Sequence, residues 1–346
     1  MAAPTATSTA PSLSAGPSAP ASAPISQPPT VNGDAESPKD NATEAAAAFA
    51  SEIAGHIFNN GFCHQQWADI QVVFFSGSLK LHRLILSRSP YLAHLMNNSM
   101  PGSTIQLSFT DENITEEAAY IAIQHLYHPS LHIVTPENAR SVLAAAYLFG
   151  GMPELVQHAY SVASESISAT NVIDYVHWLD AGSRRPVANG FAFGSVGAPA
   201  PAPSSGVWAD PATAPYGEWS ARLRSDVLTF LIRTLPAQLH ASGGEGSLAT
   251  DARLLAAYVS LPFDLFKHCV EAPELPIPFM QDRFSFAKRA IAQRKKANAA
   301  ATARGPPQAQ YEETVVLALK SEGDGMAVHI TRKPKRGRAA LWKVEG

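Results

Sequence analysis

WADIQVVFFSGSLKLHRLILSRSPYLAHLMNN, residues Trp67 to Asn98, is the stretch that decides the fold. Ile70 to Phe75 is β-branched and aromatic, the material of a half-buried strand. Ser76-Gly77-Ser78 reads as a turn and Leu79 to Leu81 as a short return strand, so a hairpin is expected. Leu84, Ile85 and Leu86 begin a short helical segment. Ser89-Pro90 starts another helix, with Ser at the N-cap and Pro at the first helical position, where its missing N–H costs nothing. Tyr91, Leu92, Leu95 and Met96 continue it as one apolar face.

Upstream, Asn41-Ala42-Thr43-Glu44 opens a helix that carries Phe49, Ile53, Ile57 and Asn60 one turn apart and stops at Gly61. Downstream, Met100-Pro101-Gly102 leads into a third alternating strand, Thr104 to Phe109. Thr115 caps a helix whose acidic first turn, Glu116-Glu117, suits the helix dipole. It runs to Pro129. Thr135-Pro136-Glu137 starts the next helix, which places Val142, Leu143, Ala146 and Tyr147 inward and ends at Gly150-Gly151. Two amphipathic helices follow, over 153–166 and 171–181.

At 346 residues and 46% hydrophobic, the chain can bury a full core, and its length suggests two domains. Cys63 and Cys269 are too few for a disulfide framework, which points to a reducing compartment. No stretch approaches the roughly 20 apolar residues of a membrane helix. The start, MAAPTATSTAPSLSAGPSAP, has neither the charged nor the apolar region of a secretory signal. An intracellular protein of nucleus or cytoplasm is expected, without a membrane partner. Charge is unevenly placed. From Arg283 onward there are 14 Lys+Arg against 5 Asp+Glu, net +9, whereas the first 282 residues hold 12 against 24, net −12. An acidic body with a basic end fits an interaction tail or charge balancing within one molecule.

Residues 1–42 are Ala, Pro, Ser and Thr with almost no large apolar side chain, and are expected to be disordered. Residues 183–217 form a Gly/Pro/Ala/Ser insert too long for an ordinary loop. Helices are expected again over Trp219–Leu235, Leu248–Ser260, Phe263–Val270 and Phe279–Ala303. The period then changes: Val315–Leu319, Val328–Thr331 and Ala340–Val344 read as three short strands with turns at Gly323–Gly325 and Lys335–Gly337. So small a sheet needs the helices to cover its apolar face.

W-A-D-I-Q-V-V-F followed by L-K-L-H-R-L-I-L-S-R-S-P-Y-L resembles the centre of a BTB/POZ domain. The similarity continues through Leu126-Tyr127-His128 and Ala144-Ala145-Ala146-Tyr147-Leu148-Phe149, four blocks in the family's order, and covers Ala47 to Ile167. The fold class it implies is α+β, a small sheet with surrounding helices over 43–167. A BACK-like helical extension over 168–182 and 218–303 and a β-meander over 304–346 would follow. The resemblance implies that Phe49, Ile53 and Ile57 on the first helix serve dimerisation. The segment ahead of that helix, AESPKD, has no strand signal, so a helix-packed dimer is expected in place of a strand-swapped one.

Asp69 and Arg83 match positions that line a charged pocket at the dimer seam in transcription-factor-type members, and His82 matches the family's His. The plainer reading is that Asp69 caps a turn, Arg83 is a surface charge and His82 is a satisfied core residue; for His82 the plainer reading is preferred. Leu95, Met96 and Met100 lie where cullin-binding adaptors present a hydrophobic residue, a spacer and Glu, but Gly102 stands at the Glu position. Arg332, Lys333, Lys335, Arg336 and Arg338 form the densest basic cluster, a candidate nuclear-import signal or a solvated turn between strands. Arg294-Lys295-Lys296 is a second basic run, late in a helix.

No catalytic constellation is found. Gly194-Ser195-Val196-Gly197 has the wrong spacing for a nucleophile elbow, and Gly243–Gly246 lacks the strand that precedes a phosphate-binding loop. There is no C-x-x-C. His125, His128 and His132 are interrupted by Pro129, with no Cys or carboxylate to complete a shell. Expected, then, is a non-enzymatic module that needs no metal or cofactor and binds proteins, with a homodimer partner and a cullin as candidates. A substrate adaptor of a cullin-RING ubiquitin ligase and a nuclear regulator using the basic C-terminus are the alternatives. Nucleic acid is not an expected partner.

Overall fold

A computed structural model describes residues 38–97, 99–183, 208, 214–242, 247–302, 311–319 and 326–334. The leader as far as residue 37, nearly all of the 183–217 insert, Gly243–Gly246, the turns at Gly323–Gly325 and Lys335–Gly337 and the strand Ala340–Val344 lie outside these residues. The chain divides after Ala50 into two compact units. The described part of the first is the start of α1 (Pro38–His56); the rest of the described chain belongs to the second.

α1 begins at Pro38 and not at Asn41. Nor does it stop at Gly61: the helix continues in π register over Ile57–Cys63. Gly61 is buried there, and an added Cβ would lie 3.2 Å from the His82 ring. Its glycine gives close approach to a neighbour, not a terminus.

The hairpin forms from β1 (Ile70–Phe74) and β2 (Gly77–Leu81). Its register closes on Phe74 opposite Gly77, so the turn is Phe75-Ser76, one step earlier than Ser76–Ser78, with Phe75 at φ 49°. β3 (Thr104–Leu107) lies on the other side of β1 and parallel to it, in the order β2-β1-β3. A parallel neighbour needs a crossover. Two short helices supply it, α2 (Arg83–Leu86) and α3 (Pro90–Met96).

Alternation then sorts the side chains: Val72, Phe74, Ile105 and Leu107 are buried. They meet α4 (Glu116–Tyr127), α5 (Ala139–Phe149) and α6 (Pro153–Glu165) in one core. Ser89 caps α3 through Leu92 N–H (3.2 Å) and also donates to the Phe149 carbonyl at the end of α5 (2.6 Å). Gly151 lies at φ 72° with the Arg88 carbonyl 2.1 Å from where a Cβ would stand, so this crossing of chain segments requires glycine.

The helical extension comprises α7 (Val172–Ser183), α8 (Gly217–Thr229), α9 (Leu235–Ala241), α10 (Ala252–Ser260), α11 (Phe263–Glu271) and α12 (Met280–Thr302). α8 and α9 are joined by a π-helical turn, Phe230–Thr234. Pro236 is the second residue after this turn and lies in the first turn of α9, where the amide hydrogen it lacks is not needed. After the insert, Tyr216 returns to the loop ahead of α4: its hydroxyl donates to Asp111 Oδ2 (2.7 Å) and accepts from Asn113 Nδ2 (2.7 Å).

β4 (Tyr311–Leu319) and β5 (Met326–Pro334) are longer than the sequence pattern indicated and pair antiparallel. Val328 and Ile330 join the main core, and Ile330 N–H donates to Glu271 on α11 (2.7 Å). The architecture is α+β: a small three-stranded sheet among helices, a helical extension, and C-terminal strands packed on it. Among the described residues no helix is long and apolar enough to cross a membrane.

Candidate functional site

The proposed dimer face begins on α1. Phe49 is 65% exposed and Ile53 42%, whereas Ile57 is half-buried and packs on the core. The loop after this helix adds a residue the sequence reading gave no role. Gln66 N–H donates to the Asn60 carbonyl (2.9 Å), and the Gln66 carbonyl is hydrogen-bonded to His82 Nε2 (2.7 Å). Gln65 Oε1 accepts from Lys80 N–H (2.9 Å). So pinned, the loop holds Gln65 and Trp67 in the left-handed region, at φ 53° and 55°. Such conformations cost a non-glycine residue roughly 1–2 kcal/mol. Trp67 is left 73% exposed, its ring stacked 6.4 Å from that of His56. An indole displayed at a conformational cost is a surface suited to burial against a partner.

Asp69, His82 and Arg83 come together, each half-buried, but not as a charged pair. Asp69 Oδ1 accepts from Arg83 N–H (2.8 Å) and so caps the start of α2. The Arg83 guanidinium reaches the other way, to Ser99 Oγ (2.7 Å) and the Met96 carbonyl (2.9 Å) at the end of α3. Among the described residues no ion pair joins Asp69 to the Arg83 guanidinium. His82 is satisfied at both ring nitrogens, by Gln66 and by the Tyr127 hydroxyl (3.1 Å). Burial pushes the Tyr127 phenol well above its ordinary value, so it is a neutral hydroxyl here. Asp69 thus caps a helix start and His82 is hydrogen-bonded on both sides, whereas Arg83 is not a surface charge but is half-buried and tied to the end of α3; together the three residues link the hairpin, α2, α3 and α4. Tyr127 lies in a block quoted for the resemblance, yet nothing in its spacing announces the contact with His82.

Leu95, Met96 and Met100 do not form one surface. Met96 is 3% exposed and belongs to the core, which corrects its assignment to a cullin-facing position. Leu95 packs partly against that core. Met100 is 79% exposed. Gly102, at the motif's Glu position, has φ 80° and donates its N–H to the Asp69 carbonyl (2.6 Å). Backbone geometry gives that glycine a purpose of its own.

The basic clusters are also divided. Arg332 and Lys333 lie on β5, not in a turn, and Lys335, Arg336 and Arg338 are outside the described residues. Arg332 stacks over Tyr311 (4.1 Å) and Phe263 (5.2 Å). In the other run, Arg294 is buried: it pairs with Glu313 (3.0 Å) and donates to the Val259 carbonyl (2.9 Å). It is no part of a solvated charge run.

Of the three histidines weighed as ligands, His125 is buried with Nδ1 lacking a hydrogen-bond partner, and burial lowers its pKa. His128 is hydrogen-bonded to Ser130 (3.3 Å). Among the described residues no group of three or more His, Cys, Asp or Glu is placed to hold a metal.

The family model for the BTB/POZ domain matches residues 58–166. A curated relative, BTB/POZ domain-containing protein 2 of Schizosaccharomyces pombe (strain 972 / ATCC 24843), is 24% identical over 299 residues, which is 85% of this chain and 92% of that protein.

Proposed function

We propose that the chain, whose residues 58–166 match the BTB/POZ domain model and so support a protein-interaction module, works without catalysis, by self-association through α1 and the Trp67 loop and by binding other proteins. The helical extension and the C-terminal strands offer further surface to those partners. The observation that carries this is Trp67, held in a strained conformation and exposed, with its ring stacked on His56 of Ile53's helix. Light scattering on the full chain tests it. A dimer at micromolar concentration is expected, and Ile53→Asp with Trp67→Ser is expected to leave a folded monomer. A monomeric parent protein, or a dimer indifferent to both changes, refutes the proposal.

The cullin-adaptor alternative rests on Met100, whose exposure fits a partner contact. Binding of a purified cullin N-terminal domain that Met100→Asp abolishes supports it, and no binding ends it. The nuclear alternative rests on Lys335, Arg336 and Arg338. A tagged chain that still enters the nucleus after neutralisation of all three would remove that cluster as the import signal. Nucleus and cytoplasm both suit the interaction reading.

A further inference from the structure

β2 is the outer strand of its sheet, so one side of it meets no other strand. Strand N–H groups alternate between the two sides. Lys80 N–H points outward, to Gln65 Oε1. Ser78, two residues earlier, therefore directs its N–H and C=O to the same open side, and among the described residues nothing takes them up. Beside this edge is a cavity of about 360 Å³, which Ser78 and Gly77 line together with Phe74, Leu79 and Tyr120. Glu116 and Glu117, from the first turn of α4, complete its lining and are both exposed.

Both carboxylates favour the helix N-terminus, which accounts for their presence there. It does not account for an apolar slot beneath them. Glu116 receives only a long contact from the Ser76 hydroxyl (3.4 Å), and Glu117 accepts from Asn138 Nδ2 (2.9 Å). Among the described residues no Lys or Arg forms an ion pair with either. An apolar slot lined by two exposed carboxylates that no Lys or Arg among the described residues pairs with fits one kind of side chain, an aliphatic stem with a cationic head. A neutral aromatic would fill the slot but meet the carboxylates with carbon.

We propose that the β2 edge binds an extended segment of a partner protein. Its backbone pairs with Ser78, a Lys or Arg stem lies between Phe74, Leu79 and Tyr120, and its charge meets Glu116 and Glu117. This is strand addition with one specificity pocket. The occupant is chosen by charge complementarity, and the inference rests on the interaction reading above only in taking the domain to bind proteins.

The test is a random heptapeptide library displayed on phage and selected against the full chain, then against Glu116→Gln/Glu117→Gln. These changes keep side-chain shape and leave an amide oxygen for Asn138; the thermal midpoint verifies folding. Lys or Arg enriched at one fixed position is expected. The synthetic consensus peptide should bind the variant about tenfold more weakly, as two lost charge contacts imply. It should also slow exchange of the Ser78 amide. No basic enrichment, or equal binding to the variant, overturns the proposal. A peptide of residues 331–338 run in parallel separates the sources: if it matches the selected consensus in affinity, the site belongs to a second copy of this chain and the partner assignment falls. Light scattering on the same samples reports self-association independently, so failure here is distinct from failure of the dimer.

Discussion

Glu313→Ala is the substitution with the clearest consequence. Glu313 on β4 and Arg294 on α12 are each 8% exposed and meet at 3.0 Å and 3.5 Å. Arg294 is further committed to the carbonyls of Val259 and Leu261, and its guanidinium lies 4.7 Å above the Phe266 ring. It cannot leave when its partner is removed. Truncating Glu313 thus strands a buried cation, at a cost of about 3–5 kcal/mol. Glu313→Gln keeps the shape and one acceptor and should cost less, roughly 2 kcal/mol. Arg332, 3.9 Å from Glu313 and partly exposed, adds at most about 1 kcal/mol to either figure. Against a domain stability of about 5–15 kcal/mol, the alanine variant remains folded but its hairpin is loosened.

Two measurements follow. Urea unfolding should give the Ala and Gln costs in that order. Native-state hydrogen exchange should show the β4–β5 amides opening earlier than those of β1–β3, because the pair fastens the hairpin and not the first sheet. Arg294→Met combined with Glu313→Leu should not recover the full loss, since the Val259 and Leu261 carbonyls would then be unpaired. A Glu313→Ala cost under about 1 kcal/mol would refute the reasoning, because a buried guanidinium without its anion cannot be that cheap. Unchanged exchange in the hairpin would do the same.

Gly151→Ala should cost roughly 2–4 kcal/mol in urea unfolding, from positive φ and from a Cβ set against the Arg88 carbonyl. Ser89→Ala removes both the α3 cap and the donor to the Phe149 carbonyl, for about 1–3 kcal/mol by the same assay. Burial holds His125 neutral, below its ordinary value of 6.5, so the unfolded chain binds the extra proton. Its contribution is full above about pH 6.5 and is lost as pH falls through the folded-state value. His125→Leu should flatten the part of the stability–pH curve that lies below about pH 6.5. Gly102→Glu supplies the missing residue of the cullin-binding pattern at φ 80°. It should cost about 1–2 kcal/mol, and a gain of cullin binding there would favour the adaptor alternative.

Periodicity made the hairpin, the Ser89-Pro90 start, the Thr115 cap and most helices legible, because each is set by neighbours a few residues away. It could not separate Leu95 from Met96. Adjacent helical positions differ by about 100° in direction, and only the packed neighbours decide which side chain is inside. The π turns at Ile57–Cys63 and Phe230–Thr234 were missed for the opposite reason: Gly61 and Pro236 look like breakers, yet tertiary packing keeps the helix going past them. Arg294 did leave a trace. It continues the stripe of Phe286 and Ala290 at four-residue spacing, so its burial was readable even though its anion, Glu313, is distant in the chain. The Tyr216–Asp111 contact, between residues 105 apart, has no local signal at all.

The residues that resemble the family most closely are chiefly those that hold the domain together. Asp69, His82, Arg83, Ser89 and Tyr127 spend their hydrogen bonds on one another and on neighbouring groups of the domain such as the Met96 and Phe149 carbonyls, leaving little with which to select a partner. On the interaction reading proposed above, discrimination is assigned to groups the fold leaves exposed: Trp67, Met100, the Ser78 edge and the carboxylates of Glu116 and Glu117. On that same reading the hydrogen-bonded part of the motif serves the scaffold and specificity is assigned to the exposed groups, Trp67 of the motif among them. Substitutions at the two sets should divide accordingly, the first lowering stability with binding lost only through unfolding, the second lowering binding at unchanged stability.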